Sequence, residues 1–250
     1  SIQYLLERAG RVDEFQGARI RMSNRIPLSR GLGSSATAIV AGLTAANALV
    51  DSPFSRDDLL QLATDIEGHP DNVAPAIYGG FTVNTVTDGH VECFSFLPRI
   101  FLRLVVMVPD FYLSTKSARQ VLPSEVPMKD AVFNISHAAM MVAALARGSE
   151  KHLENAFADA LHQNYRAPLI PGMFDVFAAA KRAGAYGAAL SGAGPCLIAF
   201  VPEHRKCTEE VAAAMQEAFH AYEIEARPLH LRLDTKGARV LRRRDMNAKR

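Results

Sequence analysis

A proline, two glycines and two adjacent serines stand directly before an Ala-rich stretch in IPLSRGLGSSATAIV, residues 26–40. This run constrains the fold strongly, because it sets where the chain bends and where a helix begins. Gly31 and Gly33 permit backbone angles closed to other residues. From Ser34 or Ser35 a helix is expected to run to about Leu49, with Ala36, Ile39, Val40, Leu43 and Ala46 or Asn47 along one side. The start of a helix carries N–H groups without intrahelical partners, and the dipole leaves that end positive. Two readings stay open for the loop: a plain helix-start turn, or a socket for phosphate. In the second, Gly31 and Gly33 let an anion approach the backbone, while the Ser34 and Ser35 hydroxyls donate to phosphate oxygen or coordinate Mg²⁺. The stretch has neither the lysine of a Walker loop nor the third glycine of a dinucleotide fingerprint. One helix end contributes about 0.3–1 kcal/mol toward an exposed anion, so a triphosphate would need a metal and further donors.

The rest of the composition narrows the setting. Of 250 residues, 49% are hydrophobic and 22% charged, the balance of a folded globular chain with a core. A net charge of +2 gives no argument for nucleic acid or an anionic membrane. The most apolar run, from Ala38 to Val50, is interrupted by Thr44 and Asn47 and is too short for a bilayer. Neither nucleic acid nor membrane is therefore expected as a partner. Cys93, Cys196 and Cys207 are odd in number and lack C-x-x-C spacing, which suits free thiols and a cytoplasmic location. The basic run from Arg242 to Arg250 reads as a solvated end.

Periodicity outlines an α+β chain. A helix is expected over Ile2–Ala9 with Gly10 as its stop, and a half-buried strand over ARIRMSN, where Ile20 and Met22 alternate with polar residues. Ser55 and Asp58 form a capping box for a second helix ending at Gly68. HPDN is a turn, and Asp88-Gly89 marks a hairpin within FTVNTVTDGHVECFSF. LRLVVMV is a buried strand, and the domain change is placed near residue 100, giving domains 1–100 and 101–250. The apolar helix Lys129–Arg147 is expected to be central, with helices near 150–163 and 173–183 after it. Two strands joined by a glycine turn, a helix from Cys207 and a final strand near 223–231 complete a ferredoxin-like order with an elaborated first crossover.

Two further segments carry chemistry. EGHPDNVAPAIYGG packs Glu67, His69, Asp71 and Asn72 into one helix-to-strand turn. It serves equally as a well-capped turn or as a ligand set, since Glu67 is a hard oxygen donor of the kind Mg²⁺ prefers. LSGAGPC is either a tight hairpin or a second loop that admits a ligand close to the backbone at Gly192, Ala193 and Gly194. Two glycine loops and an acidic turn suit one polyanionic ligand.

With these three segments in this order, P-x-x-x-G-L-G-S-S-A from Pro27 to Ala36, then E-G-H-P-D-N-V-A-P-A, then L-S-G-A-G-P, the chain resembles the GHMP kinase superfamily and, within it, the homoserine kinases. STKSARQVLP (114–123) and HQNYRAPLIPG (162–172) resemble that family's substrate-binding segments, and the likeness runs from about Gly17 to Gly237. The resemblance implies a two-domain GHMP kinase fold, with a ribosomal-protein-S5-like N-terminal domain, incomplete at its start, and a ferredoxin-like C-terminal domain. It implies transfer of the γ-phosphoryl group of ATP to the hydroxyl of L-homoserine, for threonine biosynthesis.

By the same resemblance, Pro27, Leu28, Ser29, Arg30, Gly31, Leu32, Gly33, Ser34, Ser35, Ala36 and Thr37 would wrap the ATP phosphates. Ser35 and Glu67 would hold Mg²⁺. His69, Asp71 and Asn72 would face homoserine, Arg119 and Arg166 would bind its carboxylate, and Thr115 would lie near the reacting groups. Gly192, Ala193 and Gly194 would support the site from the second domain, and a homodimer is implied. Many superfamily relatives carry an Asp where this chain has Asn72, and an amide accepts no proton, so transfer without a dedicated carboxylate base is expected. The family pattern opens with a segment like S-A-N-L-G-P-G-F-D that these 250 residues lack, so either the chain is truncated or the protein lacks part of the site. Another small-molecule GHMP kinase, or a nucleotide-binding relative without catalysis, is the alternative.

Overall fold

The computed structural model describes residues 1–241, so the basic run from Arg242 to Arg250 lies outside the described residues. The chain divides into two compact units. One comprises residues 1–25, 33–97 and those from 234 on; the other comprises 26–32 and 98–233. The division therefore departs from a single cut near residue 100 at two places, and both have a packing cause given below.

The first unit is helical with one hairpin. Its helices are α1 (Ile2–Arg8), α2 (Ser34–Leu49), α3 (Arg56–Glu67) and α4 (Val73–Tyr78), and its strands β1 (Phe81–Thr87) and β2 (His90–Phe96). The expected α2 stripe is buried: Ala36, Val40, Leu43, Ala46 and Asn47. Asn47 is satisfied there because its amide bonds both the C=O and the N–H of Phe54. The Ser55/Asp58 capping box closes reciprocally and Gly68 ends α3 at a φ of 88°, a left-handed position suited to glycine. Leu5, Leu43, Leu60, Ala63, Val73 and Ala74 form the core. β1 and β2 pair antiparallel from Phe81↔Phe96 to Thr87↔His90 around the Asp88-Gly89 turn.

Helix α4 has no counterpart among the sequence expectations. Its third residue is Pro75. A proline in the first turn removes only an N–H that has no helical partner anyway, and burial of Val73, Ala74 and Ile77 rewards the helix. Residues 234–241 join this unit because Gly80 N–H donates to Asp234 C=O and Ala238 N–H to Ala76 C=O. The strand expected over residues 18–24 is absent: the segment is irregular, with Ile20 and Met22 63% and 69% exposed. Alternation is only half of a strand; the ladder partner is the other half, and none of the described strands pairs with this segment.

The second unit is a four-stranded sheet backed by helices. Its elements are β3 (Leu102–Pro109), α5 (Thr115–Gln120), α6 (Met128–Arg147), α7 (Glu150–Leu153), α8 (Gln163–Arg166), α9 (Met173–Arg182), β4 (Gly187–Leu190), β5 (Leu197–Pro202), α10 (Thr208–His220) and β6 (Ala226–Arg232). The strand order β4-β5-β3-β6, antiparallel throughout, is the ferredoxin-like order. Val105 and Met107 of β3 enter the main core with Leu197, Val201, Val211, Met215 and Phe219. Val106 and Val108, pointing the other way, meet Cys196, Ile198 and Leu229, with Leu32 packed against them. That apolar contact helps assign residues 26–32 to this unit.

Two helix expectations change here. Helix α6 is not central: of its 20 residues only Ala144 and Leu145 are buried. The apolar pattern without a polar face states that a partner is wanted, and it does not say which. The expected helix over 150–163 breaks into α7, a loop and α8. Side-chain acceptors replace helical carbonyls along the loop: Asp159 Oδ2 takes the N–H groups of His162 and Gln163, and Asn134 Oδ1 takes that of Ala160. Phe157 meanwhile leaves the helical path to cover the bare face of Gly187 and pack on the Phe200 ring.

Removal of the wholly buried Phe219 ring by Phe219→Ala is expected to cost about 3–5 kcal/mol. Urea unfolding should show a lower midpoint with an unchanged slope. Ser55→Ala, which opens the capping box, should cost about 1 kcal/mol in the same assay.

Candidate active site

The loop 26–33 bends at Ser29, Gly31 and Gly33, with φ of 54°, 73° and 68°. Gly31 is glycine for a reason the sequence did not disclose. A Cβ there would overlap the carbonyl oxygen of Ser191 and lie 2.8 Å from the Gly194 nitrogen. The two glycine loops therefore pack directly against each other. Ser191 Oγ donates to Gly31 C=O at 2.9 Å, and Cys196 N–H donates to Arg30 C=O at 3.3 Å. Gly194 is equally enclosed, since a Cβ would come within 2.9 Å of Leu190 and 3.0 Å of Ile170. Only Gly33 fits the simpler account, with a left-handed φ and open surroundings to 3.5 Å, where Asn72 Oδ1 stands.

Arg30 serves structure with its side chain. Its guanidinium donates to the carbonyls of Pro109 and Phe111, just past β3, and stacks 4.2 Å from the Tyr112 ring centre. Pro27 is half-buried and Leu28 exposed. Within the first turn of α2, Thr37 Oγ1 donates to Gly33 C=O, and Ser34 Oγ accepts from Asn24. Ser35 is exposed, and its Oγ donates to Glu67 Oε2 at 3.2 Å. A hydroxyl and a carboxylate are thus paired beside a helix N-terminus. Glu67 reaches this place as the last residue of α3, just before the Gly68 stop. His69 follows with an Nδ1 that has no hydrogen bond and lies 3.9 Å from Asp71 Oδ2. Asn72 stands at the N-cap of α4 without capping it, which leaves its amide uncommitted to that helix.

No group of three or more His, Cys, Asp or Glu side chains suited to a metal occurs among the described residues.

The second unit gathers a different set. Thr115 is exposed at the start of α5, whose N-cap Ser114 accepts from Ser117 N–H. Arg119 lies on the same short helix. Arg166 Nε donates to Ala118 C=O at 3.0 Å, and its Nη1 donates to Gly192 C=O at 3.2 Å. One guanidinium therefore ties α5 to the second glycine loop. Burial lowers the pKa of Arg166; Asp159 opposes this and the like charge of Arg119 adds to it.

The fold thus brings Ser35, Glu67, Asn72 and Gly33 together in one unit. It brings Thr115, Arg119, Arg166, Gly192 and Gly194 together in the other. Ser191, which stitches the glycine loops, and His162, which lies 3.4 Å from Arg166, were not singled out in the sequence. A hydroxyl beside a glycine loop and a histidine four residues before an arginine were the only signals available.

Comparison with known proteins gives this arrangement a class. The pattern of the GHMP kinases N terminal domain matches residues 1–80, and that of the GHMP kinases C terminal region matches residues 141–221. The chain has the two-domain fold of the GHMP kinases. The homoserine kinase of Carboxydothermus hydrogenoformans is 42% identical over 238 residues, covering 95% of this chain and 76% of that protein. The homoserine kinase of Moorella thermoacetica is 47% identical over 201 residues, 80% of this chain and 67% of that one. The crystal structure of homoserine kinase from Cytophaga hutchinsonii superposes with a TM-score of 0.87 at 30% identity, over 96% of this chain and 78% of that one. This chain belongs to the homoserine kinase family.

Gly31→Ala is expected to force the two glycine loops apart. Overpacking alone should cost about 1–3 kcal/mol. Gly10→Ala is the control: its φ is 66° and nothing lies within 4 Å of a Cβ there, so only the left-handed backbone term of about 1–2 kcal/mol should appear. Thermal unfolding of the two variants beside the unmodified chain checks the difference.

Proposed function

We propose that this chain transfers the γ-phosphoryl group of ATP to the side-chain hydroxyl of L-homoserine, giving O-phospho-L-homoserine and ADP. The observation that carries the reading is the Ser35–Glu67 contact at the N-terminus of α2, at 3.2 Å and open to solvent. It joins unpartnered backbone N–H groups, a hydroxyl and a carboxylate where phosphates and their metal need them. The Arg119–Arg166 pair supports an acceptor that bears a carboxylate, and so favours an amino acid over a neutral alcohol.

The reaction forms a bond between the homoserine oxygen and the γ-phosphorus and breaks the bond from that phosphorus to the β,γ-bridging oxygen. Catalysis of this kind asks for alignment and charge neutralisation. The backbone and hydroxyls of residues 33–37 hold phosphate oxygens. Ser35 and Glu67 would hold Mg²⁺, which when bound offsets phosphate charge. His69, Asp71 and Asn72 position the amino-acid end and hydroxyl of the acceptor, with Thr115 beside the reacting atoms. Arg119 and Arg166 take the carboxylate. Asn72 donates and accepts hydrogen bonds but takes no proton, so the hydroxyl proton passes to a phosphate oxygen or to water. The side chain of Arg30, committed to Pro109 and Phe111, contributes by holding the loop rather than by touching phosphate.

The exposed apolar residues of α6, Met128, Val132 and Ile135 among them, support a homodimer. Light scattering on the purified chain tests it. Three free thiols support a cytoplasmic location. No described helix is long and apolar enough to cross a membrane.

Release of ADP with L-homoserine, mevalonate and galactose as acceptors tests the activity. Homoserine should be turned over fastest, and faster turnover of either alternative would overturn the choice. Glu67→Gln should raise the Mg²⁺ concentration needed for half-maximal rate. Asn72→Ala should lower kcat/KM by about tenfold or more, the loss of a charge-assisted contact in the transition state.

A further inference from the structure

The loop between α7 and α8 carries a buried carboxylate that the reading above does not use. The Asp159 side chain is only 7% exposed. Its Oδ2 accepts from the N–H groups of His162 at 2.8 Å and Gln163 at 2.6 Å. Its Oδ1 has no hydrogen bond, and His162 Nε2 stands 3.5 Å from it. On the far side of the same ring, His162 Nδ1 lies 3.4 Å from Arg166 Nη1. A guanidinium has no acceptor, so this contact is a hydrogen bond only when Nδ1 presents its lone pair. The ring proton then sits on Nε2, facing Asp159. Arg166 completes the line by donating to Ala118 and Gly192.

We propose that Asp159 and His162 form a positioning relay for Arg166, in which the neutral imidazole aims the guanidinium and protonation of the imidazole releases it. The proposal rests on the reading that Arg166 binds the substrate carboxylate. Nε and both hydrogens of Nη1 are directed inward by Ala118, His162 and Gly192, which leaves the two hydrogens of Nη2 for a ligand. A proton on Nδ1 would set two donors and two cations face to face. The groups facing His162 are Asp159 from the loop and Arg166 from α8, while Arg119 of α5 acts through Arg166. Burial pushes the His162 pKa down; Asp159 opposes this, and Arg166 adds to the lowering. The relay is thus intact above the ordinary histidine range and is lost as pH falls below it. Asp159 stays charged throughout: burial would raise its pKa, but the N–H groups of Gln163 and His162 and the imidazole outweigh it, and the net direction is down.

Two measurements on the full chain test the relay. In steady-state kinetics, KM for homoserine should rise by about tenfold as pH falls from about 8 to below the His162 midpoint measured by the nitrogen NMR, while KM for ATP stays level. His162→Ala should show the raised KM at both pH values with kcat little changed. His162→Asn, whose amide oxygen replaces Nδ1 as acceptor and does not titrate, should keep the low KM at pH 8 and lose the rise. A level KM in the unmodified chain, or equal effects of His162→Ala on both substrates, would overturn the relay. The second measurement is nitrogen NMR of the His162 ring. It should show the Nε2–H tautomer at neutral pH and a titration midpoint below the ordinary histidine range, raised by Arg166→Ala. A proton on Nδ1, or a midpoint indifferent to Arg166, overturns the relay even without turnover. If the NMR is as expected and homoserine is not phosphorylated, the activity reading fails and the relay stands.

Discussion

The alpha carbon of Gly31 lies so close to the turn between β4 and β5 that no side chain fits between them. Around that contact the Ser191 hydroxyl bonds the Gly31 carbonyl, the Cys196 amide bonds the Arg30 carbonyl, and Leu32 packs on the face of β3 turned away from α9 and α10. Arg30 adds its own anchor to the chain beyond β3. A segment of seven residues is thereby held by backbone contact, two backbone acceptors, an apolar side chain and a cation. The chain passes from Leu32 in one unit to Gly33 and α2 in the other across a single peptide. The rigidity of the segment before α2 is therefore set by the sheet of the second unit.

Two charged groups, one in each unit, make hydrogen bonds to neutral partners. Glu67 contacts a hydroxyl rather than a cation. Arg166 donates to two carbonyls and an imidazole and is pressed by Arg119. Elsewhere the protein pairs charges in the ordinary way, as in Arg11 with Glu14 and Arg205 with Glu154.

Much of this was legible along the chain. The Ser55–Asp58 box, the Gly68 stop and the Asp88-Gly89 hairpin are local chemistry, decided by groups within four residues of one another. The ferredoxin-like order followed from strands whose apolar runs are short and cleanly punctuated. The pairing of Ser35 with Glu67 and of Arg119 with Arg166 came from the family resemblance, and Ser35 Oγ does lie 3.2 Å from Glu67 Oε2. Less legible were elements whose state depends on remote partners. Residues 18–24 alternate like a strand and lie irregular, since no described strand pairs with them. Residues 154–162 have helical composition, and instead the carboxylate of Asp159 and the amide of Asn134 take N–H groups that a helix would have used.

What the sequence determined by itself were the places where a backbone must bend and where a helix must start or stop, because those depend on a residue's own stereochemistry and its near neighbours. Its motifs also carried the likeness from which roles toward phosphate, magnesium and a carboxylate were expected. The tertiary structure decided what each of them is used for. Gly31, Gly33 and Gly194 all bend with a positive φ, yet only the first and last are also hemmed in by other parts of the protein, Gly31 by backbone and Gly194 by the Leu190 and Ile170 side chains. Arg30 and Arg166 both lie in motif segments, yet one donates to the carbonyls of Pro109 and Phe111 at the end of β3 and the other to those of Ala118 and Gly192. Such differences arise from distances between residues far apart in the chain, and a one-dimensional pattern does not contain them.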